Sequence, residues 1–153
     1  MKIIVAGGRD YFDEIRIGEE LGKLQCDGVF GNEDPELVCG MAPGTDLTAK
    51  EVFESAGFIV HKRPADWKNL DALPCIIKSN RYGEYNALAG HNRNKTMGDE
   101  SELAVVFWSG SSGTKNMIDY MKKLGKPIYI FYYGAMAHKP NEAINETSTR
   151  PNR

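Results

Sequence analysis

The sequence has few cysteines and no long apolar run. Its 153 residues include only Cys26, Cys39 and Cys75, and no two of these show the Cys-x-x-Cys spacing. An odd number of cysteines without that spacing argues against a disulfide framework and a zinc site, and favours a reducing compartment. The first apolar run, residues 3–6, stops at glycines and is too short for a signal peptide or a membrane span. We therefore expect a cytoplasmic protein that binds neither membrane nor metal.

The chain also lacks an excess of basic charge. Its formal net charge is -2, which disfavours broad electrostatic attraction to nucleic acid. The hydrophobic fraction of 41% is ordinary for a soluble globular protein and suffices for a core. From residue 135 onward the chain is polar and has no apolar spacing. We therefore expect one domain over residues 1–134, followed by a disordered tail over residues 135–153.

A short strand, a glycine turn and a helix-like pattern follow one another three times. Each strand candidate is an apolar run without polar alternation, which is typical of strands buried on both faces. The three runs are Lys2–Ala6, Glu36–Cys39 and Leu103–Trp108, and their turns are at residues 7–8, 40–44 and 110–113. Two further strands are predicted at residues 58–60 and 127–133. Residues 65–98 keep no period, although a helix near residues 86–97, interrupted at Gly90, fits the pattern.

Strands that alternate with helices predict a parallel sheet covered on both sides. We therefore predict an α/β fold: a Rossmann-like three-layer sandwich with a mostly parallel central sheet of about five strands. All three glycine turns follow strands directly, so they should meet at one edge of the sheet, where such folds bind ligands. None of them matches Gly-x-Gly-x-x-Gly or a Walker A loop, which disfavours NAD binding and ATP hydrolysis. We expect no cofactor.

The third turn has the composition of an anion-binding loop. Residues Ser109–Lys115, here called the serine–glycine loop, read Ser-Gly-Ser-Ser-Gly-Thr-Lys and precede a helix-like pattern. Backbone N–H groups at a helix N-terminus have no intrahelical acceptor, and the helix dipole favours negative charge there. Glycines let the backbone approach a ligand, the hydroxyls add donors, and Lys115 adds a charge. An ordinary connection rich in small residues is the alternative interpretation.

Several motifs, taken in order, resemble the SLOG superfamily of small Rossmann-type proteins. The resemblance covers about residues 2–133 and is nearest to a bacterial and phage branch that is mostly uncharacterised; it extends distantly to DNA-processing protein A. The motifs are Val5–Asp10, Cys39–Asp46, Pro64–Trp67, Gly90–Asn94 and Gly110–Thr114. The resemblance implies a Rossmann-like domain that binds a nucleotide or a nucleotide-derived small molecule.

The resemblance and the glycine turns together select candidate ligand-binding residues. Arginine after a glycine turn suits a phosphate or carboxylate, and an aromatic ring suits a base. The candidates are Gly7, Gly8, Arg9, Gly40, Gly44, Thr45, Asp66, Trp67, His91, Asn94, Gly110, Ser111, Ser112, Gly113 and Thr114. Several have bland alternatives, such as a surface arginine at Arg9 or a core-edge aromatic at Trp67.

An enzymatic function is the second hypothesis. The "lonely guy" phosphoribohydrolases of this superfamily cleave the N-glycosidic bond of a nucleoside monophosphate. Residues 91–93 resemble their Met-His-x-Arg-Lys element, which implies that Arg93 grips phosphate or ribose. Their catalytic glutamate has no counterpart, because Asn116 or Met117 stands at its position. Since an oxocarbenium-like transition state needs a carboxylate, Asp46 and Asp119 join Arg93 as candidate catalytic residues. Asp10 is a further candidate, and for Asp10 and Asp46 a helix cap or turn residue is the alternative interpretation.

Two further kinds of partner are single-stranded DNA and a second copy of the chain. Single-stranded DNA binding occurs in the superfamily, but the net acidity and the lack of a basic, aromatic stripe disfavour it. Relatives often form dimers, so a homodimer is expected as well. The aromatic end Phe131–Tyr133 is a candidate contact, with an ordinary buried strand as the alternative.

Overall fold

The computed structural model describes residues 1–145. These residues form four helices and eight strands, and the helices and five of the strands follow the order predicted from the sequence. The elements are β1 (Lys2–Gly7), α1 (Glu14–Cys26), β2 (Glu36–Cys39), α2 (Thr45–Ser55), β3 (Val60–Lys62), β4 (Ile77–Asn80), β5 (Gly83–Asn86), α3 (Ala89–Glu100), β6 (Leu103–Trp108), α4 (Ser112–Leu124), β7 (Ile128–Tyr132) and β8 (Glu142–Ile144), with a 3₁₀ turn at Gly134–Met136.

Six strands form the central sheet in the order β3-β2-β1-β6-β7-β8. All neighbouring pairs are parallel except β7 and β8, which are antiparallel. The chain moves outward from β1 to β3 and then returns to the other side of β1 with β6. Strand order therefore reverses between β1 and β6, and such a reversal leaves a crevice beyond the carboxyl ends of the two strands.

Alternate residues of the strands belong to two separate cores. In β1, Ile3 and Val5 face the core that contains α1 and α2, whereas Ile4 faces the core that contains α3 and α4. The same alternation holds for β6, where Val105 and Val106 lie in different cores. This period of two, along strands whose central residues are apolar, is the mark of a sheet buried on both faces. It confirms the predicted three-layer α/β sandwich.

Two helix ends show why the chain turns where it does. The Asp13 carboxylate accepts a hydrogen bond of 3.0 Å from the Arg16 N–H and caps the start of α1. Gly125, with φ of 69°, takes the left-handed conformation that ends α4. Each of these helix ends helps to position its helix against the sheet.

The structure differs from the sequence-based expectations in three segments. The third strand begins at Val60 instead of residue 58, and the sheet has six strands instead of about five. Within residues 65–98, β4 and β5 form an antiparallel hairpin, and α3 runs through Gly90 without interruption. The predicted disordered tail is wrong for residues 142–144, which form β8 against β7. Residues 146–153 of that tail lie outside the described residues.

The aromatic end of β7 does not form an exposed contact. Phe131 and Tyr132 are buried, and the Tyr132 hydroxyl donates a hydrogen bond of 2.6 Å to Glu142. The alternative interpretation, an ordinary buried strand, is the one that the structure shows. The homodimer and the cytoplasmic location stay predictions. Within residues 1–145, no helix has the length and apolar character needed to cross a membrane.

Candidate functional site

A cavity of about 760 Å³ lies at the reversal of strand order between β1 and β6. The two strands remain paired up to Gly7 and Phe107, and the chain leaves the sheet beyond that pair. The segments after β1 and β6 then form two walls of the cavity, while α3 forms a third. All three predicted glycine turns therefore reach this cavity, the second of them through Ala42, as expected of strands that end at the same edge.

Most of the predicted ligand residues line this cavity. They come from five separate parts of the chain, which only the fold brings together. The lining contains Gly7, Gly8, Arg9, Asp46, Trp67, His91, Arg93, Asn94, Gly110, Ser111, Ser112, Gly113 and Thr114 from the predicted set. The cavity is thus rich in N–H and hydroxyl donors and carries two guanidinium groups.

The serine–glycine loop presents the N-terminus of α4 to the cavity. Ser111 is the N-cap residue, but its side chain does not cap the helix; its Oγ lies 2.9 Å from the Thr114 Oγ1. The indole N–H of Trp108 donates a hydrogen bond of 2.9 Å to the Ser111 carbonyl and so holds the loop in place. The first-turn N–H groups of α4 have no intrahelical acceptor and lie at the positive end of the helix dipole. This arrangement suits an anion.

Some of the glycines predicted to let the backbone approach a ligand are required instead by the packing of the chain itself. A Cβ on Gly8 would lie 1.6 Å from the Tyr133 hydroxyl, and one on Gly44, where φ is +81°, would lie 2.5 Å from the Gly8 carbonyl oxygen. At these two positions the chain's own atoms, and not a ligand, exclude a side chain. Gly113 differs, because a Cβ there would meet nothing within 4 Å. Among the six glycines predicted for the site, Gly113 is thus the one that leaves open space for a ligand.

Asp46 and Arg93 form the charged floor of the cavity. The Asp46 Oδ2 accepts a hydrogen bond of 3.2 Å from the Ala42 N–H, and an Arg93 Nη1–H donates to the Gly40 carbonyl. Burial raises the pKa of Asp46 to about 6, although the Ala42 N–H and the positive charges of Arg93 and Arg9 oppose the rise. Burial also lowers the pKa of Arg93, and the Asp46 charge opposes that change. The carboxyl group can therefore exchange a proton near neutral pH.

Asn94 ties α3 to the start of α4. Its Nδ2 donates to the Asn116 Oδ1 at 3.0 Å and to the Gly113 carbonyl at 3.4 Å. Its Oδ1 accepts a hydrogen bond of 3.1 Å from the Arg93 Nε–H. The buried amide therefore sets the position of Arg93 relative to the serine–glycine loop.

The remaining predicted residues lie away from the cavity lining. Thr45 is buried and donates from its hydroxyl to the Gly8 carbonyl at 3.0 Å, so it braces the first turn from behind. Gly40 and Gly44 support the floor and the first turn by close packing. Asp66 lines a separate cavity of about 300 Å³.

The prediction of Asp119 as a catalytic residue does not fit its position. Its carboxylate is exposed and accepts a hydrogen bond of 2.7 Å from Lys115, one helical turn away. Neither residue is part of the cavity lining. The reason is helical geometry. Met117 is buried and lies on the side of α4 that faces the cavity, so Asp119, two residues further on, faces away from it. Lys115 likewise does not supply the charge expected of it at the site.

Asp10, a candidate carboxylate of the first glycine turn, also lines the cavity. It accepts a hydrogen bond of 2.5 Å from the Tyr133 hydroxyl, a partner that the sequence could not indicate. Sequence reasoning missed how α3 as a whole contributes to the site. The cavity-facing stripe of α3 contains Gly90, Arg93, Asn94 and Met97. These four stand at i, i+3, i+4 and i+7, a helical spacing that was readable but obscured by the assumed break at Gly90.

The donor set does not suit a metal ion. Within residues 1–145 there is no group of three or more His, Cys, Asp or Glu side chains arranged to hold one. N–H groups, hydroxyls and arginines prefer oxyanions such as phosphate.

Fold and site together define a Rossmann-like α/β protein with a ligand-sized, donor-rich cavity at its topological switch point. Comparisons of the chain with protein-family models, with curated proteins and with solved structures found no match.

Proposed function

We propose that this protein binds a nucleotide or a nucleotide-derived small molecule. Its phosphate lies on the serine–glycine loop and the Gly7–Arg9 turn, with Arg93 as charge partner. One observation carries the proposal: chain segments that follow β1 and β6 line a single cavity together with α3. The SLOG resemblance of the same segments supports it, and membership of that superfamily is part of the proposal.

The size and chemistry of the cavity support a small phosphorylated ligand. Its volume of about 760 Å³ falls in the range of roughly 300–1,000 Å³ typical of ligand pockets. Arg9 is exposed at the cavity, and Arg93 uses Nε and Nη1 for protein hydrogen bonds. Within residues 1–145, its Nη2 has no protein acceptor. Both guanidinium groups can therefore donate to phosphate oxygens.

A screen by thermal shift and calorimetry tests the proposal. The probes are the common nucleoside monophosphates, cyclic nucleotides and ADP-ribose. We expect at least one to bind wild-type protein, and Arg9→Ala to weaken it about 10- to 100-fold, since a hydrogen bond to a charged group contributes about 1.5–3 kcal/mol.

Lys115→Ala is the matched control for that variant. It removes one positive charge from the last residue of the serine–glycine loop, whose side chain pairs with Asp119 and does not line the cavity. We expect less than about a two-fold change in affinity, because exposed ion pairs and distant charges contribute little. Correctly folded protein that binds none of the probes contradicts the proposal.

Hydrolysis of an N-glycosidic bond is the second candidate function. The observation that favours it is a buried carboxyl, Asp46, in the cavity wall with its pKa raised to about 6. Such a group can donate or accept a proton at neutral pH, as glycoside cleavage requires. Against it, Met117 lines the cavity at one of the two positions aligned with the catalytic glutamate of the phosphoribohydrolases, and a thioether cannot stabilise positive charge as a carboxylate does.

Chromatography of a nucleotide incubated with the protein separates the two functions. Release of free base by wild type and its loss in Asp46→Asn would establish a hydrolase. Binding without release of base, at high protein concentration, would leave binding as the function.

A further inference from the structure

A third cavity, of about 340 Å³, adjoins the central one. Its lining residues come from the β4–β5 hairpin and from the loop after β3, and the two cavities share Arg9 and Trp67. We call it the aromatic pocket; it is lined by Arg9, Trp67, Lys68, Asn80, Tyr82, Gly83, Glu84 and Tyr85. The proposed phosphate site includes no residue of this hairpin.

Trp67 is held in place although it is partly exposed. The indole is 38% exposed, its ring edge lies against Gly90 of α3, and Tyr85 meets it edge-on with centroids 6.4 Å apart. Its carbonyl accepts a hydrogen bond of 2.6 Å from the Asn86 N–H. An indole that is fixed at its edge and left partly uncovered offers a ready surface for a flat ring.

The hairpin supplies the opposite side of the pocket. Tyr82, near the hairpin turn, is 74% exposed, and Arg81 lies over its ring with 4.9 Å from the guanidinium carbon to the centroid. The Asn80 side chain accepts a hydrogen bond of 2.8 Å from the Tyr82 N–H, which fixes the turn. The Asn80 amide and the Glu84 carboxylate also belong to the lining of this pocket. Such polar groups can form hydrogen bonds with the edge of a base.

We propose that the aromatic pocket binds the base of the same ligand whose phosphate lies in the central cavity. Arg9 and Trp67 line both cavities, so one molecule can extend from the serine–glycine loop to the hairpin. The ligand class is then a purine or pyrimidine nucleoside phosphate, and a sugar phosphate without a base binds more weakly. This inference rests on the proposed phosphate site.

Calorimetry with matched probes tests the assignment. The probes are AMP, GMP, CMP, UMP and ribose 5-phosphate, which carries the phosphate and ribose but no base. For wild type we expect at least one nucleotide to bind about 5- to 100-fold more tightly than ribose 5-phosphate, the range measured for stacking of a base on an aromatic side chain. Tyr82 lines the aromatic pocket and is not part of the central cavity lining, so Tyr82→Ala should reduce this ratio towards one and leave the dissociation constant of ribose 5-phosphate within about two-fold. Trp67→Ala should also reduce the ratio towards one.

Phe12→Ala is the control, because Phe12 is a similarly exposed aromatic residue, at 66%, outside all three cavities. It should leave the ratio unchanged. If ribose 5-phosphate binds but no nucleotide binds more tightly, or if the ratio survives in both pocket variants, the aromatic pocket does not bind a base while the phosphate site stands. If no probe binds folded protein, the phosphate site itself is refuted, and this inference with it.

Discussion

Replacement of the buried carboxyl by Asp46→Asn should change how stability depends on pH. Asp46 is 7% exposed, and burial raises its pKa to about 6 from an ordinary value of 3.8. Because the pKa is higher in the folded than in the unfolded state, Asp46 favours folding fully below about pH 3.8, and this contribution is lost as the pH rises through about 6. The difference in pKa corresponds to about 3 kcal/mol.

Urea unfolding at about pH 4.5 and about pH 7.5 measures this effect. About 2 kcal/mol of this contribution should be lost between the two pH values. The remainder is already lost at about pH 4.5, because the carboxyl of the unfolded chain is largely ionised there. Wild-type protein should therefore lose about 2 kcal/mol relative to Asp46→Asn over this interval. Other titrating groups are common to both proteins and cancel in the comparison to a first approximation.

Asp119→Asn serves as the control, since it removes an equal charge from an exposed pair with Lys115. It should shift the free energy of unfolding by less than about 1 kcal/mol at either pH. If wild type and Asp46→Asn give parallel curves of stability against pH, then Asp46 is not held in a poorly solvated environment, and its suggested use as a proton donor or acceptor loses its basis.

Three further substitutions test the packing around the cavity. Gly8→Ala should lower the free energy of unfolding in urea by about 3 kcal/mol, because its Cβ would lie 1.6 Å from the Tyr133 hydroxyl; adding Tyr133→Phe should recover part of the loss, and an unaffected single variant would contradict the geometry. Asn94→Ala should cost about 1–3 kcal/mol in the same assay, since a buried amide that links α3 to α4 is lost. Gly113→Ala should raise the free energy of unfolding by about 0.5–1 kcal/mol, because alanine favours a helix. It should also lower the affinity for a phosphorylated ligand in calorimetry, since the methyl group enters open space beside the cavity. Unchanged affinity would place the phosphate elsewhere.

The order of the main strands and helices along the chain could be predicted because the residue patterns that indicate them are local. Apolar strands such as Leu103–Trp108 are buried on both faces, so their lack of alternation identifies them without tertiary information. The hairpin β4–β5 escaped prediction because it is exposed on most of its surface and has no apolar face to impose a period. Strand β8 escaped for a similar reason: its pairing with β7 rests on backbone hydrogen bonds, which leave little trace in a polar sequence.

The site was predictable where a residue follows a strand directly. Gly7–Arg9 and the serine–glycine loop reach the cavity because β1 and β6 end together. Asp119 could not be resolved from sequence, since whether a helical residue faces the cavity depends on the rotation of α4 against the sheet. The role of Gly8 was equally hidden, because Tyr133, which excludes a side chain there, is distant in the chain.

Amide chemical-shift mapping with ribose 5-phosphate tests the central claim most directly, because it reports where a phosphorylated ligand binds. The probe carries the phosphate and ribose but no base, so the result does not depend on the aromatic pocket. We expect the largest concentration-dependent shifts at the N–H groups of Gly8, Arg9 and residues 110–114. Largest shifts at the remote ends of the strands, or no shifts at all with folded protein, would contradict a phosphate site at the switch between β1 and β6.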